Sequence, residues 1–180
     1  MRSLKIIIAL NKIIIALLIS FQVNAQHPTE KNGFVEVEAE NFENQTLTDV
    51  RKWEIIENDN SKAPGYSAGK NKYIKCLPDT RVTHDDTLIN GENFSNKPGL
   101  LAVLNYKINF STPGRYYVWV RAYSTGSEDN GIHVGLNGTW VESGQRMQWC
   151  EGKNKWTWAS KQRTQKNHCG EPYKIYLDIE

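Results

Sequence analysis

Between Glu142 and Gly170 the chain carries three indoles, Trp149, Trp156 and Trp158, interleaved with Arg146, Lys153, Lys155, Lys161 and Arg163. Tryptophans set among charged residues are unusual for a buried strand. A flat indole can cover the C–H face of a sugar ring, and amide, carboxylate and cationic side chains can satisfy the hydroxyls at its rim. Trp140, Trp149 and Trp156 supply such rings, and Glu128, Asn130 and Arg146 supply rim groups from loop sequence. These residues point to non-covalent binding of a carbohydrate. The basic run from Arg146 to Arg163 suits an acidic or sulfated glycan. General burial tendency argues the other way: it puts Trp158 and Trp149 in the core and makes the basic residues a solvated face.

A second group lies near the start. Glu36, Glu38 and Glu40 alternate with Val35, Val37 and Ala39 from Phe34 to Phe42, which predicts a strand with one apolar and one acidic face. Carboxylates about 7 Å apart repel unless solvent screens them or a cation sits among them. Spacing alone favours a solvated edge over a calcium site. Thr83-His84-Asp85-Asp86 could bind metal or move protons, but such short clusters are mostly solvated loops. Catalytic signals are weak. The three glutamates sit side by side on one predicted strand and cannot flank a glycosidic bond from two sides. No His-Glu-x-x-His or phosphate loop is present.

Three cysteines, Cys76, Cys150 and Cys169, follow an N-terminal segment with the marks of a secretory signal. Arg2, Lys5 and Lys12 give it positive charge, Ile13 to Phe21 an apolar core, and Val23-Asn24-Ala25 a cleavage site before Gln26. A membrane anchor needs roughly 20 uninterrupted apolar residues, and Asn11 and Lys12 interrupt this stretch. The expectation is a secreted or periplasmic protein with residues 1–25 removed and disulfides permitted. Cys150 and Cys169 flank one polar, Trp-rich segment and are the preferred pair, leaving Cys76 free. A zinc site beside His168 lacks any CxxC or paired-His spacing. The whole chain has 22 Lys and Arg against 20 Asp and Glu; without the leader the balance is 19 to 20. Near neutrality gives no electrostatic case for nucleic acid or an anionic membrane.

The elements that must position these residues read as strands. From Tyr116, residues Tyr116, Val118, Val120 and Ala122 point one way and Tyr117, Trp119, Arg121 and Tyr123 the other. Further strands are predicted over Trp53–Ile56, Lys72–Leu77, Leu100–Phe110, Ile132–Leu136 and Tyr173–Ile179, with Asn137-Gly138 as a hairpin turn. In Tyr173–Ile179 the alternation puts Tyr173, Ile175, Leu177 and Ile179 on one face. Ser124 to Asn130 is a polar loop at a sheet end, and Pro78 to Pro98 a long irregular insertion. Gln26 to Gly33 is a polar lead-in. No helix is predicted after the leader, so the fold class is all-β, an antiparallel sandwich over residues 34–180.

Four dispersed motifs carry a resemblance. Glu36-Val-Glu38-Ala-Glu40-Asn41-Phe42 resembles the first strand of carbohydrate-binding modules of families 6 and 35. Asn105-Tyr106-Lys-Ile-Asn-Phe110, then Pro113-Gly114-Arg-Tyr116-Tyr-Val-Trp-Val-Arg121-Ala122, looks like their central strand pair. Gly152-Lys-Asn-Lys-Trp156-Thr-Trp158 is similar to their later Gly–Trp–Trp region. The same pattern resembles C-terminal jelly-roll domains of polysaccharide-degrading enzymes. The resemblance implies a galactose-binding-type β-jelly-roll with a structural calcium at Glu38 and Glu40. It also implies a sugar cleft walled by Trp156 and Tyr66. It further implies a closing Asp-containing strand after the position of Glu180, so the module is expected to lack its C-terminal strand. Non-catalytic binding of a polysaccharide or oligosaccharide is the expected function, with a linked catalytic domain as a possible partner. The alternatives are the N-terminal part of a glycoside hydrolase or lyase, and a structural or adhesive jelly roll that binds protein.

Overall fold

A computed structural model of the protein describes residues 27–57, 72–95 and 97–180. The leader and Tyr66 lie outside the described residues. Every ladder between strands among the described residues is antiparallel, with isolated parallel bridges at Thr29–Asn109 and Asn90–Phe94, and no α-helix occurs among them. The chain is therefore all-β. Among the described residues no helix is long and apolar enough to cross a membrane.

The strands are short. β1 (Asn44–Thr46) pairs with β4 (Val103–Asn105), and β2 (Lys52–Glu57) with β3 (Lys72–Leu77). β5 (Gly114–Tyr117) pairs with β12 (Tyr176–Ile179), and β6 (Val120–Tyr123) with β9 (Trp156–Ala159). A four-stranded sheet runs β11 (Glu171–Pro172), β10 (Lys161–Gln162), β8 (Met147–Gln148) and β7 (Gly131–Ile132).

The core forms where the alternating stretch turns its small and branched residues inward. Met147 and Ile175 are fully buried, with Trp149 and Ala159 beside them. Val118, Val120, Ala122, Ile132 and Val134 pack against this centre. The Val118 N–H donates to the Ile175 carbonyl at 3.0 Å, which carries the β5–β12 register past the end of the named strands. Because side chains alternate, Tyr117 and Trp119 must then face outward, and they do.

Several expected strands are shorter or absent. Phe34–Phe42 forms no ladder; the Asn41 N–H turns back to the Glu38 carbonyl at 3.0 Å. Leu100–Phe110 contributes only β4, because Ala102 sits at φ 45° and breaks the extended run. That kink is held by Trp53, whose Nε1–H donates to the Ala102 carbonyl at 2.7 Å. The Asn137-Gly138 turn forms as expected. Both residues have positive φ, 49° and 75°, and Leu136 bridges Thr139 around them. The polar lead-in is docked, since the Glu30 N–H donates to the Asn109 carbonyl at 2.8 Å and Glu30 is buried.

Candidate functional site

The outward face of the β5–β6 run gathers aromatic and charged side chains. Cross-strand partners share a face, and the registers Tyr117↔Tyr176, Arg121↔Trp158 and Tyr123↔Trp156 put all six on it. Trp158 is 62% exposed, Trp119 53% and Tyr117 49%. Tyr117 makes edge contacts with Tyr173 and Tyr176, at centroid distances of 6.3 and 6.2 Å. Arg115 lies over the Tyr176 ring at 3.7 Å and grips Asp178 through two hydrogen bonds of 2.8 and 3.0 Å. The Arg115 hydrogen bonds hold the Asp178 carboxyl below its usual range.

Trp158 borders a depression of about 190 Å³ whose walls also include Glu151, Lys161, Cys150 and Thr157, with the buried Gln148, Trp149 and Ala159 at its base. Lys161 and Glu151 pair at 2.9 Å on its rim. The hydrogen bond from Lys161 holds the Glu151 carboxyl below its ordinary range. An exposed ring beside paired polar groups can stack on a sugar and satisfy its hydroxyls. At the wall of the depression, Cys150 stands at disulfide distance from Cys169, with Sγ atoms 2.24 Å apart and Cα atoms 5.3 Å apart. Cys76 is free, and burial pushes its thiol pKa up.

The other residues expected at a sugar site are placed differently. Trp149 is 3% exposed and belongs to the core, so it has no free ring face to stack on. Trp156 is half-buried on the same face, wedged edge-on between Tyr73 at 5.6 Å and Tyr123 at 5.7 Å. Trp140 is half-buried against Gly99, where a Cβ would come within 2.1 Å of its Nε1. Asn130 is buried: its amide donates to the Trp149 carbonyl at 3.0 Å and accepts from Gln148 Nε2 at 2.6 Å. Glu128 pairs with Arg81 and, at 2.5 Å, with His84 Nδ1. Those bonds tie the Pro78–Pro98 loop to the Ser124–Asn130 loop, so Glu128 is an anchor there. Asp86 caps the Val82 and Thr83 N–H groups at 2.9 and 2.7 Å, which accounts for the His-Asp-Asp cluster as a loop device. Arg146 is exposed, with its backbone N–H on His133 Nδ1 at 3.1 Å. Burial, with Arg146 nearby, pushes the His133 pKa down.

Glu38 and Glu40 lie on irregular backbone and a turn. Among the described residues no group of three or more His, Cys, Asp or Glu side chains could hold a metal. Calcium takes six to eight oxygens. Glu38 and Glu40 alone would supply only part of that shell.

Sequence reasoning placed Trp158 in the core, and the register with Arg121 moves it to the outer face. The missed ring is Trp119. Its signal was present, since the period-two pattern already set it opposite Val118 and Val120. Tyr173 was expected beside Ile175; a left-handed φ of 60° turns it out, and it is 70% exposed. Gly65-Tyr66-Ser67-Ala68-Gly69 also spells Gly-x-Ser-x-Gly. That motif requires a strand–turn–helix setting to act as a nucleophile elbow, and it lies outside the described residues.

The chain is similar to "Uncharacterized protein P23" of Formosa agariphila, with 61% identity over 158 residues. The match covers 83% of this chain and 38% of that relative, so the chain spans well under half of its length. No family model and no solved structure matches the chain.

Proposed function

We propose that the chain is an exported, non-catalytic carbohydrate-binding module with a β-sandwich jelly roll of the galactose-binding type. Its binding surface is the outer face of the β5–β6 run, with Trp158 as the stacking ring. Glu151 and Lys161 border the same depression and supply polar groups for sugar hydroxyls. The observation that carries the proposal is the exposure of the Trp158 indole beside a depression with a paired acid and base on its rim. Soluble proteins seldom leave several large aromatics bare on one face without a partner for them.

The face has an ordered scaffold. Ala159, next to Trp158, is locked in the core, and Trp156, two residues before it, is braced by Tyr73 and Tyr123. A pre-set ring loses little entropy on binding. The basic content of the segment suits an anionic glycan, although Lys161 and Arg115 already have carboxylate partners in Glu151 and Asp178. Affinity electrophoresis of the protein in gels containing xylan, mannan, laminarin, alginate, polygalacturonate or carrageenan tests the proposal. Retardation in at least one polysaccharide is expected, and unretarded migration in all of them contradicts it.

A further inference from the structure

A second depression lies beside β12. It measures about 350 Å³ and is lined by Glu142, Ser143, Gln162, Tyr173, Lys174 and Tyr176. Its ring, Tyr173, is the most exposed large aromatic among the described residues, at 70%. Tyr173 holds φ at 60°, a left-handed conformation that a bulky side chain rarely adopts. Backbone held in such a conformation stands out where a ring has to be aimed. Three contacts fix the surroundings. Tyr117 meets the Tyr173 ring edge-on at 6.3 Å, Ser143 Oγ donates to the Tyr176 carbonyl at 2.7 Å, and Gln162 Nε2 donates to the Glu142 carbonyl at 2.6 Å. The Lys174 ammonium pairs with Glu171 at 3.1 Å at the edge.

The two depressions are joined by one strand run. Tyr176 in the second stands opposite Tyr117, and Trp158 in the first stands opposite Arg121. Tyr117 and Arg121 are four residues apart on the same face, about 13 Å along an extended chain. Trp119, 53% exposed, lies between them. Aromatic rings are therefore spaced along a line: Tyr173 and Tyr117, then Trp119, then Trp158. A single sugar unit or a disaccharide covers only one end of that line.

We infer that the Tyr173 depression is a second subsite for the same glycan chain, so that the ligand is the interior of a linear polysaccharide spanning both depressions. This rests on the proposed carbohydrate-binding function. On this account short oligosaccharides engage one depression and gain nothing from the other. Affinity rises with chain length until both ends of the line are covered, because the second contact is then made within one complex.

The test uses calorimetric titration of the wild-type chain, Tyr173→Ala and Trp158→Ala with disaccharide and hexasaccharide fragments of whichever polysaccharide in the panel above retards the protein. The inference predicts that hexasaccharide binds wild type at least about tenfold more tightly than disaccharide. It predicts that Tyr173→Ala removes that gain and leaves disaccharide affinity within about twofold. Trp158→Ala weakens both ligands. If Trp158→Ala weakens binding while Tyr173→Ala leaves hexasaccharide affinity unchanged, the second subsite is overturned and the binding function stands. If no polysaccharide in the panel retards the wild-type chain, both fall. Thermal melts of each variant show whether a lost signal reflects lost fold, and Tyr173→Phe, which keeps the ring, is expected to retain the hexasaccharide gain.

Discussion

Arg121 and Trp158 stand directly opposite each other across the β6–β9 ladder, with both side chains on the outer face. On either side of that pair, Ala122 and Ala159 turn to the core. A single period-two alternation thus separates a stabilising face from an exposed one. The tryptophans divide likewise: Trp149 sits in the core, while Trp158 and Trp119 are exposed.

Trp149→Ala removes the largest ring of a small core. Such truncations cost about 3–5 kcal/mol. Among the described residues the buried Trp149 indole N–H meets no acceptor. Trp149→Phe is therefore expected to recover most of the loss. Urea denaturation of the two variants checks this, and equal destabilisation by both would count against it.

The strand pattern from Tyr116 to Tyr123 was legible because an extended chain forces alternation, and β-branched residues on one side identify the inward face. Lys72–Leu77 was also read as a strand, and it pairs with β2 along its whole length. The Phe34–Phe42 strand failed because its partner ladder is missing; alternation shows that a segment could be half-buried, and pairing decides whether it becomes a strand. The Trp158 error had another source. Average burial tendency says nothing about register, and register with Arg121 sets which side a ring takes. Tyr173 was lost to a backbone angle that no spacing pattern encodes. The disulfide-distance pair Cys150 and Cys169 was readable from the segment the two flank, whereas the roles of Glu128 and Asn130 depend on long-range partners, Arg81 and Gln148, that sequence distance conceals.

The Cys150–Cys169 link closes a loop with a sequence separation of 19. In the chain-entropy account a loop of that size contributes about 3 kcal/mol. Cys150→Ser with Cys169→Ser is expected to lower stability by roughly that amount. Reduction of the wild type with dithiothreitol before denaturation should shift its midpoint in the same direction. An unchanged midpoint in both experiments would contradict the link.

Asp129 organises the Ser124–Asn130 loop. It accepts from the Thr125 N–H at 2.7 Å, the Gly126 N–H at 2.9 Å, Thr125 Oγ1 at 2.6 Å and Ser124 Oγ at 2.8 Å. Burial alone would raise its pKa, but these hydrogen bonds outweigh burial and leave it lowered. A lowered folded value means the carboxylate stabilises the fold above the ordinary aspartate pKa of about 3.9. That stability is lost as pH falls through the depressed folded value. Asp129→Asn should therefore cost about 1–3 kcal/mol at neutral pH. It should also flatten the acid limb of a stability–pH curve below about pH 4. A variant that tracks wild type throughout that limb would remove Asp129 from the account.

Glu128 binds Arg81 and His84, and the Arg81 and Glu128 side chains are mostly buried. Glu128→Gln leaves Arg81 without its charge partner. Breaking a buried pair this way costs about 3 kcal/mol. Retardation of the folded variant by polysaccharide should not change, since the residue faces the neighbouring loop. Selective loss of retardation at unchanged stability would restore Glu128 as a sugar contact.

The most direct measurement is affinity electrophoresis of Trp158→Ala beside wild type, paired with thermal melts. The indole is exposed, so its removal should change stability by less than about 0.5 kcal/mol. Retardation should fall at least about tenfold in apparent affinity, the loss of roughly 1.4 kcal/mol of stacking. A stable Trp158→Ala protein retarded as strongly as wild type would contradict the assignment of the binding face.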